Sequence, residues 1–185
     1  AELLTMEGEL FSNTDETNQF LVRDSPSYVG DHVAFKSLVA LWGMSLETAE
    51  SIRTGEPQEK YDESQKSEEE LESIYRGWRP IAVRAGRELV ARYDFSSYRT
   101  LLDVGGGSGG LAVAIVEACP HIQATVVDLP RLTPITRRLV NEADADRVQV
   151  VTADVVRDSL RGSFDVAVLR AFIQVLWPDD ARHAL

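Results

Sequence analysis

The stretch Thr100–Gly110, T-L-L-D-V-G-G-G-S-G-G, limits what the chain can fold into more than any other. Leu101, Leu102 and Val104 make a short apolar run that ends abruptly in glycines, and such a run bounded by turn residues reads as a buried strand. Leu111–Ala118 is rich in Ala, Leu, Ile and Val, material for a buried helix, and Pro120 stops it. Strand, glycine loop and helix form the first turn of a doubly wound α/β domain, in which ligands sit outside the carboxyl ends of the strands. A residue without Cβ takes positive φ and lets the backbone approach a ligand closely. The loop feeds a helix amino terminus, whose N–H groups and dipole favour a carboxylate or phosphate. An anionic cofactor group is therefore expected at this loop.

The glycine spacing satisfies two patterns at once. Gly105, Gly107 and Gly110 fit the dinucleotide fingerprint G-x-G-x-x-G. Asp103, Gly105, Gly107 and Gly109 fit D-x-G-x-G-x-G, which resembles the first motif of class I S-adenosylmethionine-dependent methyltransferases. Three more strands are expected. Ile122–Val127 runs into Asp128, Leu129 and Pro130; Arg147–Thr152 runs into Ala153, Asp154 and Val155; Phe164–Leu169 runs into Arg170. An acid at the tip of the second strand is where a ribose hydroxyl pair is held, and both cofactor types carry a ribose. Any one of these acids could be a solvated loop carboxylate, but acids at successive strand tips behind a glycine loop make coincidence a poor explanation.

Together L-L-D-V-G-G-G-S-G-G, V-V-D-L-P, V-T-A-D-V and F-D-V-A-V-L-R-A-F-I-Q-V-L-W-P-D-D resemble the small-molecule O-methyltransferases of the caffeic-acid and hydroxyneurosporene type. The D-L-P is the most family-specific piece, and the resemblance covers Ser73–Leu185 well and the amino terminus more weakly. It implies S-adenosylmethionine as cofactor, contacted by Asp103, Gly105, Gly106, Gly107, Gly109, Asp128, Leu129, Asp154, Val155 and Arg170. Asp154 would accept a proton from the adenine amine. Tyr75 and Trp78 become candidate pocket residues, with plain helix packing as the alternative. The implied architecture is α/β: a Rossmann-like, doubly wound, mostly parallel sheet over residues 73–185, made of the first four strands of a class I methyltransferase. A mainly helical remnant of a winged-helix dimerisation domain would precede it over residues 1–72, implying a homodimer.

Charge is unevenly spread. The net −11 divides into −12 over residues 1–72 and +1 over residues 73–185. Such acidity repels phosphate and argues against a nucleic-acid partner, though solubility alone explains it as well. No apolar run approaches the roughly 18 residues a membrane helix needs, and no signal peptide is visible, so neither a membrane nor secretion is expected. A single cysteine, Cys119, leaves no internal disulfide and no cysteine-cluster metal site, and cytoplasmic residence is the default.

Leu3–Ser12 carries two apolar pieces about Glu7 and Gly8, as in a β-hairpin, which the resemblance makes the wing. Val33–Trp42 reads as an apolar helix, with Phe35 and Trp42 in core or dimer interface. Ser45 is expected to cap Leu46–Thr54, with Gly55 ending that helix. Glu56–Ser67 is polar and aperiodic, a linker. Ser67 and Glu70 form a capping box opening a helix to about Gly77, and Pro80 interrupts it before Ile81, Ala85, Leu89 and Tyr93 resume helical spacing. Leu132, Ile135, Leu139 and Val140 give one face of a later helix, with Arg137 and Arg138 on its solvent side. Asp179 and Asp180 sit in the first turn of a last helix begun by Pro178.

The class I sheet has seven strands, and only four are visible here. The fourth would then expose an unpaired apolar edge, which suggests a piece of a longer chain, or cover from another copy or chain. Methyl transfer from a sulfonium is an in-line displacement dominated by positioning, with a base helping a weakly acidic hydroxyl. A phenol of pKa about 10 is only roughly 0.1% ionised at neutral pH. In plant members a histidine follows the fourth strand, yet here that place falls on Gln174 or Val175, and His183 reads as a surface residue. No catalytic residue is assigned. A small-molecule methyltransferase leads, over a non-catalytic cofactor-binding or dimerisation module and an NAD-dependent oxidoreductase.

Overall fold

The computed structural model describes residues 2–25, 27–32, 45–56, 58, 63–160 and 162–184; the helix expected over Val33–Trp42 lies outside them. The chain divides into two compact units, residues 1–80 and 81–185.

In the first unit, β1 (Leu4–Glu7) and β2 (Leu10–Asn13) form the expected hairpin, pairing Met6 with Phe11 and Glu7 with Leu10. Gly8 takes φ +63° in the two-residue turn, a conformation such turns reserve for glycine. Helix α1 (Asp15–Phe20) is capped by Thr14, whose Oγ1 accepts from Thr17 N–H at 3.3 Å. Helix α2 (Thr48–Thr54) starts later than expected: Glu47, not Ser45, occupies the cap, without a side-chain bond. Gly55 ends it as expected, with φ +74°.

Helix α3 (Glu68–Arg92) opens with the capping box intact: Ser67 N–H donates to Glu70 Oε2 at 2.7 Å and Glu70 N–H to Ser67 Oγ at 3.1 Å. The expected break at Pro80 is absent, and one helix of 25 residues runs through it. Proline there removes an N–H and crowds the preceding turn. In that turn the Gly77 carbonyl takes a side-chain donor instead, His32 Nδ1 at 3.1 Å.

The second unit holds a four-stranded parallel sheet in the order β5-β4-β3-β6, built from β3 (Thr100–Val104), β4 (Gln123–Asp128), β5 (Val148–Thr152) and β6 (Val166–Val168). Leu101 pairs with Ala124 on one side and Val166 on the other. Helix α4 (Gly110–Ala118) is buried from Gly110 through Val116, so the sequence could be apolar all round. Its Ile115 joins Leu101, Ile122 and Val126 in the core. A Cβ on Gly86 of α3 would lie 2.6 Å from the Leu111 carbonyl oxygen, so these two helix backbones cross too closely for a side chain. Helix α5 (Thr133–Asn141) buries Ile135, Leu139 and Val140, while Arg137, exposed as expected, donates to the Val150 carbonyl (3.1 Å) and Thr152 Oγ1 (3.2 Å). A short helix α6 (Pro178–Ala184) follows β6.

Strand β6 is shorter than the expected Phe164–Leu169. Before it, side-chain bonds join one backbone bond, Asp165 N–H to the Thr100 carbonyl (3.1 Å): Asp165 Oδ2 accepts from Arg99 N–H (2.7 Å), Thr100 N–H (2.9 Å) and Thr100 Oγ1 (3.1 Å). The strand ends the sheet order, and a cavity of about 630 Å³ lies along it, lined by Leu89, Tyr93, Tyr98, Val166, Val168 and Arg170 among others.

The Arg99 and Thr100 amides hold the Asp165 carboxyl below its ordinary value. Its charge therefore stabilises the fold above the unfolded-chain value of about 4, and that contribution disappears as pH falls through the folded value. Denaturant titrations of wild type and Asp165→Asn should show a stability gap at neutral pH that closes on acidification; a gap independent of pH would refute this role.

Candidate functional site at the glycine loop

The sheet order changes direction at β3, since β4 and β5 lie to one side and β6 to the other. The loops after β3 and β6 therefore flank a crevice at the carboxyl ends, the place where this kind of sheet binds ligands. Gly105, Gly107 and Gly109 all take positive φ, at +63°, +56° and +69°, so the loop's path is one that side chains rarely follow.

Three loop amides are committed internally. Gly105 N–H donates to the Val127 carbonyl (2.9 Å), Gly107 N–H to Asp128 Oδ2 (2.8 Å) and Gly109 N–H to the Gly106 carbonyl (3.0 Å). The expected anion cradle is thereby reduced at these three positions, because their donors shape the loop itself. The Gly107 carbonyl accepts from Thr136 Oγ1 at 2.6 Å, which ties the loop to α5.

Asp128 ends β4 with its second oxygen accepting from Leu129 N–H at 2.8 Å. Burial pushes this carboxyl up, against the pull of the Leu129 and Gly107 amides. Each oxygen keeps a further lone pair, so the carboxylate can still receive ligand hydroxyls.

Asp103 lies deeper, 2% exposed, with Oδ2 buried and unpartnered. A Cβ on Gly106 would come within 2.7 Å of that oxygen and of Val126 Cγ1, so glycine at 106 is what makes room for the carboxyl beneath the loop. Burial and then the neighbouring Asp128 push its pKa up to about 7, opposed by the Ala112 amide and Arg170.

The remaining candidates divide. Leu129 is 45% exposed beside Asp128. Val155 packs on Leu102, Val104 and Val127. Asp154 is engaged by its own turn: Oδ1 accepts from Val156 N–H at 3.1 Å, and Oδ2 lies 3.7 Å from Arg157 Nε. Arg170 is exposed past β6. Tyr75 donates to the Glu63 carboxylate (3.1 and 3.3 Å), and the Trp78 ring sits 5.3 Å from that of His32, so both have partners within the first unit.

After β6, Gln174 and Val175 are exposed in a short 3-10 turn (Ile173–Val175), and His183 is exposed on α6. Among the described residues no His, Cys, Asp or Glu cluster is placed to hold a metal, and no helix is long and apolar enough to cross a membrane. Sequence reasoning missed Phe172, whose ring Cδ2 would lie 2.7 Å from a Cβ at Gly105, and Ala171, a non-glycine residue at φ +56°. The Ala171 strain has no signature in the residue's identity.

The profile of the O-methyltransferase domain family matches residues 49–185. A 3-hydroxy-5-methyl-1-naphthoate 3-O-methyltransferase of Streptomyces sahachiroi is 29% identical over 188 residues, covering 99% of this chain and 54% of that protein. The aclacinomycin 10-hydroxylase RdmB of Streptomyces purpurascens is 40% identical over 89 residues, covering 48% of this chain and 23% of that protein. An O-methyltransferase family protein from Burkholderia thailandensis has a similar fold, with a TM-score of 0.74 at 24% identity, covering 98% of this chain and 56% of that one. The chain spans about half the length of the first two curated relatives it matches.

Two outcomes follow for the loop. Asp103 binds its proton more tightly folded than unfolded, so its own contribution to stability should fall as pH rises from about 4 to about 7. Asp103→Asn should flatten that slope in pH-resolved denaturation, and an unchanged slope would place the titration elsewhere. Gly106→Ala should cost about 1–3 kcal/mol by thermal or chemical melting, because the added methyl meets Asp103 and Val126.

Proposed function

The chain belongs to the O-methyltransferase domain family, and on that premise we propose that it forms the cofactor-binding part of an enzyme that transfers a methyl group from S-adenosylmethionine to a hydroxyl of a small secondary metabolite. The observation that carries this reading is the Asp128 carboxylate clamped to the Gly107 amide, an acid fixed at the tip of the second strand of the sheet and against a positive-φ glycine loop. The residues fit the cofactor's chemistry. Asp128 has lone pairs for a ribose hydroxyl pair, and Leu129 and Val155 offer apolar surface to a base. The buried Asp103 and Asp128 carboxyls suit a cationic ligand. Arg170 flanks the far side of the crevice. Asp154 serves first as the brace of its own turn and contributes that turn's backbone to the base's surroundings.

The cofactor supplies an electrophilic methyl on a cationic sulfur. This chain's part is to orient and to exclude water, and near-attack positioning alone is a large share of such a barrier. Neither Gln174 nor Val175 can accept a proton at neutral pH, so the acceptor hydroxyl loses its proton to another group or to water. The naphthoate methyltransferase relative supports an aromatic hydroxyl as acceptor. The 40% identity to a hydroxylase over 89 residues gives hydroxylation as a second reading.

Residues 1–72 are assigned to a winged-helix and dimerisation region and 73–185 to the cofactor domain. The exposed apolar side chains of the β1–β2 hairpin, Met6, Leu10 and Phe11, support the wing and a homodimer. The net charge of −11 speaks against a nucleic-acid partner, and the cytoplasm is the assigned compartment.

Calorimetric titration with S-adenosylmethionine, its demethylated product and NAD tests the assignment. Wild type should bind the first two, and Asp128→Ala should weaken both by about ten- to hundredfold, the worth of charged hydrogen bonds. Selective NAD binding would overturn it, while binding without methyl incorporation from labelled cofactor would favour the hydroxylase reading.

A further inference from the structure

The loop after β6 is shaped as deliberately as the glycine loop it faces. Ala171 is held at φ +56°, a conformation unfavourable for a residue with a Cβ. The residues about it are Arg170, exposed at the end of β6, and Phe172, half-buried. The strained turn lays the Phe172 ring over Gly105, so close that a Cβ there would fall 2.7 Å from Cδ2 and about 3.5 Å from Cγ. The ring also packs against the cluster of Leu102, Val104 and Val127 from β3 and β4. Phe172 thus stands at the point where the strand order reverses, on the wall opposite Asp128, and spans the crevice mouth from β6 to the glycine loop. The ring therefore serves the packing at the ends of these strands and also borders the glycine loop.

We propose that Phe172 is a positioning residue for the cofactor, an aromatic wall whose face meets the sulfonium end of S-adenosylmethionine and distinguishes it from the neutral demethylated product. This rests on the cofactor assignment above. An aromatic face attracts a desolvated cation, and of the two carboxyls nearby Asp103 is set back under the loop while Asp128 is held by the Gly107 and Leu129 amides. The ring therefore supplies the attractive surface at the open side of the crevice, and by covering Gly105 it also keeps water from the loop. Gly105 is accordingly glycine on two counts, for its φ and for the ring's room.

Titration of wild type, Phe172→Leu and Phe172→Tyr with S-adenosylmethionine and with S-adenosylhomocysteine tests this in the full chain. Phe172→Leu keeps an apolar side chain against Leu102 and Val104 but removes the π-face, and should weaken the sulfonium ligand about five- to tenfold while shifting the neutral thioether less than about twofold. Phe172→Tyr retains the face and should preserve the wild-type ratio of the two affinities. An equal loss for both ligands, or no loss, would overturn the proposal and leave the cofactor assignment standing. Wild type that binds neither ligand would take down the assignment and this inference together. A ratio of affinities is unaffected by a variant that is simply less stable, so packing damage from the leucine cannot imitate the expected result.

Discussion

A loop that turns at three glycines has to be kept from collapsing, and here the hydrogen bond from Gly107 N–H to the Asp128 carboxylate does so. It joins the ends of β3 and β4, buries one charge beside another, and leaves Asp103 beneath the loop with an unpartnered oxygen. Burying a carboxyl without a full set of partners is costly, and the cost falls on protonation: both acids are shifted upward. The rest of the second unit can be seen as support for that arrangement. Helix α4 closes the core behind the loop, and Thr136 of α5 takes its Gly107 carbonyl. The strand beyond β3 carries the opposite wall.

Much of this was legible from spacing alone. Leu101–Val104 followed by glycines gives β3 to within one residue, because a parallel strand covered on both faces reads as a near-continuous apolar run. The box of Ser67 and Glu70 was readable because both of its bonds are local. The acids at 103, 128 and 154 were found as types, but their circumstances were not. Whether a strand-tip aspartate faces a ligand, hides under a loop or braces its own turn depends on neighbours far along the chain, and the three took one course each.

The misreadings have the same origin. Pro80 breaks a helix in isolation, whereas here tertiary structure carries the helix through, and His32 satisfies a carbonyl in the preceding turn. Arg137 is exposed as helical periodicity expects, and its long side chain also reaches the β5 backbone. Strand β6 starts later than its apolar run because Asp165 engages the amides of Arg99 and Thr100 through its side chain, contacts 66 and 65 residues apart. Phe172 had no helical or strand period to betray it. Its importance comes from a strained neighbour and a missing Cβ, and neither can be seen in a string of letters.

The latch between Asp165 and Thr100 also orders events in time. Strands β3, β4 and β5 follow one another with a single helix between each pair, so their contacts close short loops. The last strand must close a loop of 65 residues to reach β3, and it brings only three ladder residues to the meeting. Loop-closure entropy grows with length and is offset only by what the contact returns. The glycine loop is therefore shaped early, by β3, β4 and Asp128, and the wall bearing Phe172 arrives late and is the first to leave. As the chain emerges during synthesis, the glycine loop and Asp128 are together before the wall bearing Phe172 can dock, so the weakest hold in the sheet lies at one side of the crevice.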